Sequence, residues 1–147
     1  MYVDRFMSHA IHLARIAFSM DEVPVGAVYF DNGKIIAQSG NITISDCDPS
    51  GHAEIAVLRL ASKIKNNHRI GGTLAVTLEP CVMCMGALVQ ARVERLIFGS
   101  YDHRSGASGS VFDLSNSAHL NHKIEVIGGV METECKSLMQ QFFRSKR

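Results

Sequence analysis

Two short runs, His52-Ala53-Glu54 and Pro80-Cys81-Val82-Met83-Cys84, each stand where an amphipathic segment begins, and together they constrain the fold more than anything else in the chain. An imidazole and two thiols are the donors that a borderline-soft divalent cation takes. If one ion is to use all three, the fold must bring two separate helix starts to the same point. Cysteines three apart on a helix share a face, and the positive end of the helix dipole favours their thiolate forms. Three protein ligands leave one corner of a tetrahedron for water, which is the arrangement of a catalytic site and not of a closed structural one.

Glu54 is two residues from His52, and helix positions two apart do not share a face, so it need not be a ligand. It is free to carry protons. A zinc ion acidifies the water it binds, and a neighbouring carboxylate can take the released proton and hand it to a substrate. These are the parts of hydrolytic deamination, and His-x-Glu with Pro-Cys-x-x-Cys is the signature of zinc enzymes that deaminate nucleobases. The expectation is one Zn2+ per subunit on His52, Cys81 and Cys84, water as nucleophile and Glu54 as the catalytic proton shuttle. A thioredoxin-like redox pair at Cys81 and Cys84 would leave His52 and Glu54 unexplained. Cys47, five residues before His52, would close the site if it served as a fourth ligand.

The remaining cysteine, Cys135, falls on the apolar stripe of a helix and reads as a buried hydrophobe. The 147 residues match the commonest size of one domain, so residues 1–147 are expected to form a single zinc-binding unit. No apolar run approaches the roughly 20 residues of a membrane span, and the amino terminus lacks the uninterrupted core of an export signal. With four cysteines and no export signal, metal binding in a reducing cytoplasm is a better use than disulfides. The net charge of +1 neither requires nor excludes a nucleic acid partner.

The periodicity predicts a helix over residues 4–18 and two strands, 25–30 and 34–38, joined at Asn32-Gly33 as a tight antiparallel hairpin. A polar loop leads to a second helix from near His52, with Ala53, Ala56, Val57, Leu60, Ala61 and Ile64 on its apolar face. A buried strand over 73–78, a helix over 81–91 opened by Pro80 and a strand over 95–99 have the rhythm of a parallel pairing. A fifth strand over 124–127 and a helix over 132–144 complete a three-layer α/β domain.

The chain also carries Val23-Pro24-Val25-Gly26-Ala27-Val28, Asn41, Leu78-Glu79 before Pro80, Gly86-Ala87, Phe98-Gly99, Asp102, Gly106-Ala107, Gly109-Ser110, Asn121-His122 and Phe142-Phe143-Arg144. With the two metal motifs, this set resembles the bacterial tRNA-specific adenosine deaminases over nearly the whole length. The zinc pieces are common to other cytidine-deaminase-like enzymes. The specific likeness rests on the loop after Gly99, the Asn121-His122 pair and the last helix. It implies a three-layer α/β/α cytidine deaminase-like fold with a five-stranded mixed sheet, a homodimer, and conversion of adenosine to inosine at the wobble position of a tRNA anticodon. It also implies that Asn41 hydrogen-bonds an extruded base and that Asp102 lies near the ribose. Gly51 and Met85 depart from the alanines usual at their positions.

An anticodon stem-loop needs a surface, for which Arg69, Arg92, Arg104, Phe143 and Arg144 are the candidates, by phosphate contact or stacking. Phe142 fits the helix's apolar stripe better. Two other functions use the same residues: deamination of a free base or nucleoside such as guanine or cytosine, and a zinc-stabilised RNA-binding module without catalysis. The open-site reading makes a direct prediction. Cys47→Ser should retain equimolar zinc by metal analysis and full activity; loss of zinc would mean a closed structural site.

Overall fold

The computed structural model describes residues 2–147; Met1, where the expected domain begins, lies outside the described residues. In chain order the elements are α1 (Tyr2–Ser19), β1 (Gly26–Asp31), β2 (Lys34–Gly40), α2 (Ala53–Lys65), β3 (Thr73–Leu78), α3 (Val82–Gln90), β4 (Arg95–Ser100), β5 (Glu125–Ile127) and α4 (Glu132–Ser145). The strands lie in the order β2-β1-β3-β4-β5. β1 pairs antiparallel with both β2 and β3, whereas β3–β4 and β4–β5 are parallel, so the sheet is mixed as expected. At the hairpin, Asn32 and Gly33 take φ of 51° and 75°, the left-handed pair that a two-residue turn between twisted strands requires.

The three layers follow from the two-residue period of the strands. Ala27 and Tyr29 of β1, Leu74 and Val76 of β3, and Leu96 and Phe98 of β4 face one core, shared with α2 and α3. Val28 and Phe30, Ala75 and Ile97 face the other core, shared with α1 and α4. A sheet with helices on both faces buries its central strands twice over, which is why β3 and β4 read as nearly unbroken apolar runs.

Two expectations about the helices are corrected. Leu60 and Ile64, assigned to the apolar face of α2, are 47% and 63% exposed, while Ile55 and Leu58 are buried. The sheet and α3 cover the start of α2 more fully than its end. Cys81 is not the first helical residue of α3 but its N-cap, with extended backbone at φ −78° and ψ 177°; His52 caps α2 in the same way.

Strand direction decides where the chemistry can sit. The β3-α3-β4 crossover puts the start of α3 at the carboxyl end of β3. α2 runs back to feed the start of β3, so its own first residue lies at that same end. β1 begins there and β2 ends there, because β1 is antiparallel to both of its neighbours. Gly26 at the start of β1 donates its N–H to Thr77 Oγ1 near the end of β3, at 3.2 Å. Five chain segments therefore meet at one edge of the sheet, the crevice where open α/β sheets bind ligands.

Gly26 also lets α1 lie directly on the sheet. A Cβ there would fall on the Ala10 carbonyl oxygen and lie 2.7 Å from the Ala14 nitrogen, both on the helix backbone. Gly26→Ala should therefore push α1 away and destabilise the protein by about 1–3 kcal/mol, read as a lower urea midpoint with an unchanged slope.

Candidate active site

The caps of α2 and α3 bring the three expected donors together. His52 Nδ1 lies 3.7 Å from Cys81 Sγ and 3.5 Å from Cys84 Sγ. Zinc bonds of the usual length to nitrogen and sulfur, set at a tetrahedral angle, would separate those atoms by about 3.6 Å. All three ligand atoms fall within 4.8 Å of one another, and this is the metal-capable cluster found among the described residues. The donor set and its spacing fit a tetrahedral cation. Cys47 stands apart from it: its thiol is exposed and lies 3.7 Å from the Ile44 carbonyl, to which it donates.

The electrostatics of the cluster agree with its geometry. Cys81 is pulled down to about 4 by the hydrogen bond from the Cys84 thiol and then by His52, against the effect of burial. Cys84 is pushed up in return, by sharing its proton with Cys81 and by burial. The hydrogen bond with Cys81 also raises His52. These groups are held together by shared protons, and a cation seated among them would release those protons as it bound.

Glu54, in the first turn of α2, is 4% exposed and lies beside His52 and Cys81 in the wall of a small cavity. Burial pushes its carboxyl up to about 7. Both of its protonation states are therefore accessible near neutrality, the condition for a group that must accept a proton and return it.

The cavity holds about 170 Å³. Pockets for drug-sized ligands run from about 300 Å³ upward, so this one suits only a small group. Asn41 forms part of the wall, as do Val25, Leu78 and Asp102. The Asn41 amine donates to Glu22 Oε1 at 3.2 Å and to Thr43 Oγ1 at 3.0 Å. Asp102 stands at the mouth, where its carboxylate accepts from the backbone N–H groups of Arg104 and Ser105 and from the Ser105 hydroxyl. It shapes a turn of the loop while bordering the cavity.

Glu79, directly before Pro80, holds that loop against the site. Its buried carboxylate accepts from the N–H of Asp102 at 3.0 Å and from those of Ser108 and Ser110, each at 3.1 Å. Burial alone would raise its pKa, but the Ser110 hydroxyl and the three amides outweigh that and hold it below the usual range. Sequence reasoning missed the roles of Glu79 and Glu22. The available signal was their place: each is an acid flanking an apolar run, with a Ser- or Thr-bearing loop elsewhere that offers donors.

A larger cleft of about 920 Å³ adjoins the cavity, sharing Leu78, Asp102 and Ser105 with it. The loop after β4 and the end of α4 line this cleft. Arg104, Phe143 and Arg144 are brought together there, joined by Lys146 of the basic carboxyl end and by Tyr101 and Lys136, which sequence reasoning did not single out. Phe142 instead packs inward, edge-on to Phe18 with ring centroids 5.5 Å apart. Arg69 and Arg92 are not brought to the cleft. They precede β3 and β4, at the opposite end of the sheet, and Arg92 donates to the Val89 carbonyl at 2.7 Å. Cys135 lies buried beside Gly99, and burial raises its thiol to about 12.

Residues 1–147 match the MafB19-like deaminase family. The tRNA-specific adenosine deaminase of Haemophilus influenzae is 42% identical over 146 residues, which cover 98% of this chain and 84% of that protein. That of Bacillus subtilis is 43% identical over 143 residues, covering 97% and 89%. A solved tRNA:A34 deaminase, studied for A-to-I editing at the wobble position of transfer RNA, superposes with a TM-score of 0.88 at 41% identity, over 91% of this chain and 98% of that one. A guanine deaminase from Nitrosomonas europaea has a TM-score of 0.80 at 24% identity, over 95% and 83%, a likeness that speaks for the architecture alone. The chain belongs to the MafB19-like deaminases and, within them, to the tRNA-specific adenosine deaminases.

Proposed function

We propose that this protein is a cytoplasmic, homodimeric zinc hydrolase that converts adenosine to inosine at the wobble position of a tRNA anticodon. The observation that carries this reading is a small cavity over the His52, Cys81 and Cys84 cluster that opens into a basic, aromatic cleft. A free base would need the cavity alone. A base still attached to a strand needs both, because the reacting carbon is reached only when the base is turned out of its stack and the flanking nucleotides must lie somewhere. An anticodon loop presents bases already unpaired.

His52, Cys81 and Cys84 would hold zinc. When bound, zinc supplies the Lewis acidity that draws a nucleophile from water near neutral pH. Glu54 takes the proton released as that nucleophile forms and delivers it to the ring nitrogen of adenine; it then takes the proton of the hydroxyl newly bonded to C6, as that becomes a carbonyl, and delivers it to the amino group, which leaves as ammonia. Asn41 meets the edge of the base, and the Asp102 turn sets the mouth through which the ribose lies. Burial of the cavity wall excludes bulk water from competing for Glu54. Exposed apolar side chains on two mutually packed helices, Leu60 and Ile64 on α2 and Val82 and Met83 on α3, support self-association. No helix among the described residues is long and apolar enough to cross a membrane.

Two predictions follow from this arrangement. Incubated with an anticodon stem-loop bearing a wobble adenosine, the protein should form inosine, and Glu54→Gln should lower the rate by about 10²–10⁴-fold with zinc, fold and RNA binding retained. Turnover of free guanine, cytosine or cytidine without inosine formation would instead identify a free-base deaminase, and RNA binding without any turnover a non-catalytic module. Arg104→Ala and Arg144→Ala should each weaken stem-loop binding and make it less steeply dependent on salt, by about one counterion per arginine. Arg69→Ala, at the far end of the sheet, should change neither within the same subunit.

A further inference from the structure

Glu22 is 1% exposed and takes no part in the chemistry described above. It lies between α1 and β1, yet its side-chain partners all come from the loop between β2 and α2. Its Oε1 accepts from Asn41 Nδ2 and the Ile44 N–H, both at 3.2 Å, and from Thr43 Oγ1 at 3.5 Å. Its Oε2 accepts from the Ser45 N–H at 2.7 Å. Burial alone would raise this carboxyl, but the Ser45 and Ile44 amides, with the Ser45 and Asn41 side chains, outweigh it and keep the group ionised.

An ionised carboxylate can only accept hydrogen bonds. It therefore takes the amine end of a neighbouring amide and refuses the carbonyl end. An asparagine by itself can present either end to a ligand. With its amine committed to Glu22 and to Thr43 Oγ1, Asn41 has its Oδ1 left over, in a residue that lines the cavity beside Glu54. No buried side-chain oxygen or nitrogen among the described residues lacks a partner. Among the described residues Asn41 Oδ1 has no protein donor, so it is not a buried atom, and the residue that carries it lines the cavity.

We propose that Glu22 is a positioning residue for the deamination reaction: by holding the Asn41 amine from behind, it fixes which end of that amide the substrate meets. The contacts to Ile44 and Ser45 then serve the same end, since they tie the whole loop carrying Asn41 to the start of β1. The inference rests on the functional reading above. A purely structural staple would also need a buried acceptor, but it would not need to act through Asn41.

A double-mutant cycle separates the two roles. Single-turnover inosine formation on the stem-loop would be measured for the wild type, Glu22→Gln, Asn41→Ala and the double variant, with zinc content and Tm recorded for each. Glu22→Gln should lower kcat/KM by about tenfold or more, because its amide no longer dictates how Asn41 faces. In the Asn41→Ala background the same change should cost less than about twofold. Wild-type kcat/KM in Glu22→Gln, or losses that multiply in the double variant, would overturn the proposal. Should Glu22→Gln fail to fold, the wild-type protein decides the orientation by NMR without any substrate. The Asn41 side-chain amide protons should exchange with water far more slowly than those of exposed Asn116, and equal exchange would overturn the proposal. A wild type that forms no inosine would count against the functional reading, leaving the exchange measurement to judge Asn41's orientation.

Discussion

The meeting of two helix starts over the carboxyl ends of β3 and β4 is the constraint on which the site depends. His52 and Cys81 are both N-caps with extended backbone, so their side chains project from the ends of α2 and α3 and not from their flanks. Nitrogen and sulfur can then approach to 3.5–3.7 Å, close to the separation that a shared tetrahedral ion sets. The sheet supplies the remaining requirement, because only a parallel β3–β4 pair with α2 running antiparallel to β3 brings both caps to the same edge.

Three buried carboxylates surround this point, and their surroundings send them in opposite directions. Glu22 and Glu79 each accept several backbone N–H bonds and stay below the ordinary range in spite of burial. Glu54 has no such set of amide donors, and burial dominates, lifting it to about 7. The first two clamp loops by remaining charged, one holding the segment with Asn41 and the other the segment with Asp102. Glu54 changes its protonation state readily and suits proton transfer. Placing the cluster in an interior between two clamped loops thus leaves one carboxylate shifted towards neutrality and two fixed as charged loop clamps.

The same sheet polarity sorts the cationic surface. Arg104 and Arg144 converge with Phe143 on a cleft continuous with the cavity because the loop after β4 and the end of α4 both reach the carboxyl edge. Arg69 and Arg92 precede strands and so lie at the other edge. Their charge is no different; only their position relative to strand direction separates the two pairs.

Local sequence alone determined the element types, the hairpin at Asn32-Gly33, the strand-helix-strand middle and the donor set of His52, Cys81 and Cys84 with Glu54 beside it, because periodicity, turn chemistry and ligand spacing are properties of short segments. The burial of Cys135 and Phe142 was legible for the same reason. The resemblance to a known family added Asn41 and Asp102, for which no short-range pattern spoke. Tertiary structure decided the rest: that Leu60 and Ile64 stay exposed at the end of α2, that Arg69 and Arg92 lie away from the cleft, and that Glu22 and Glu79 are buried clamps. Each of these depends on contacts between segments far apart in the chain, such as Glu22 with Asn41 or Glu79 with Ser110, and no local pattern records which distant donor a buried carboxylate will meet.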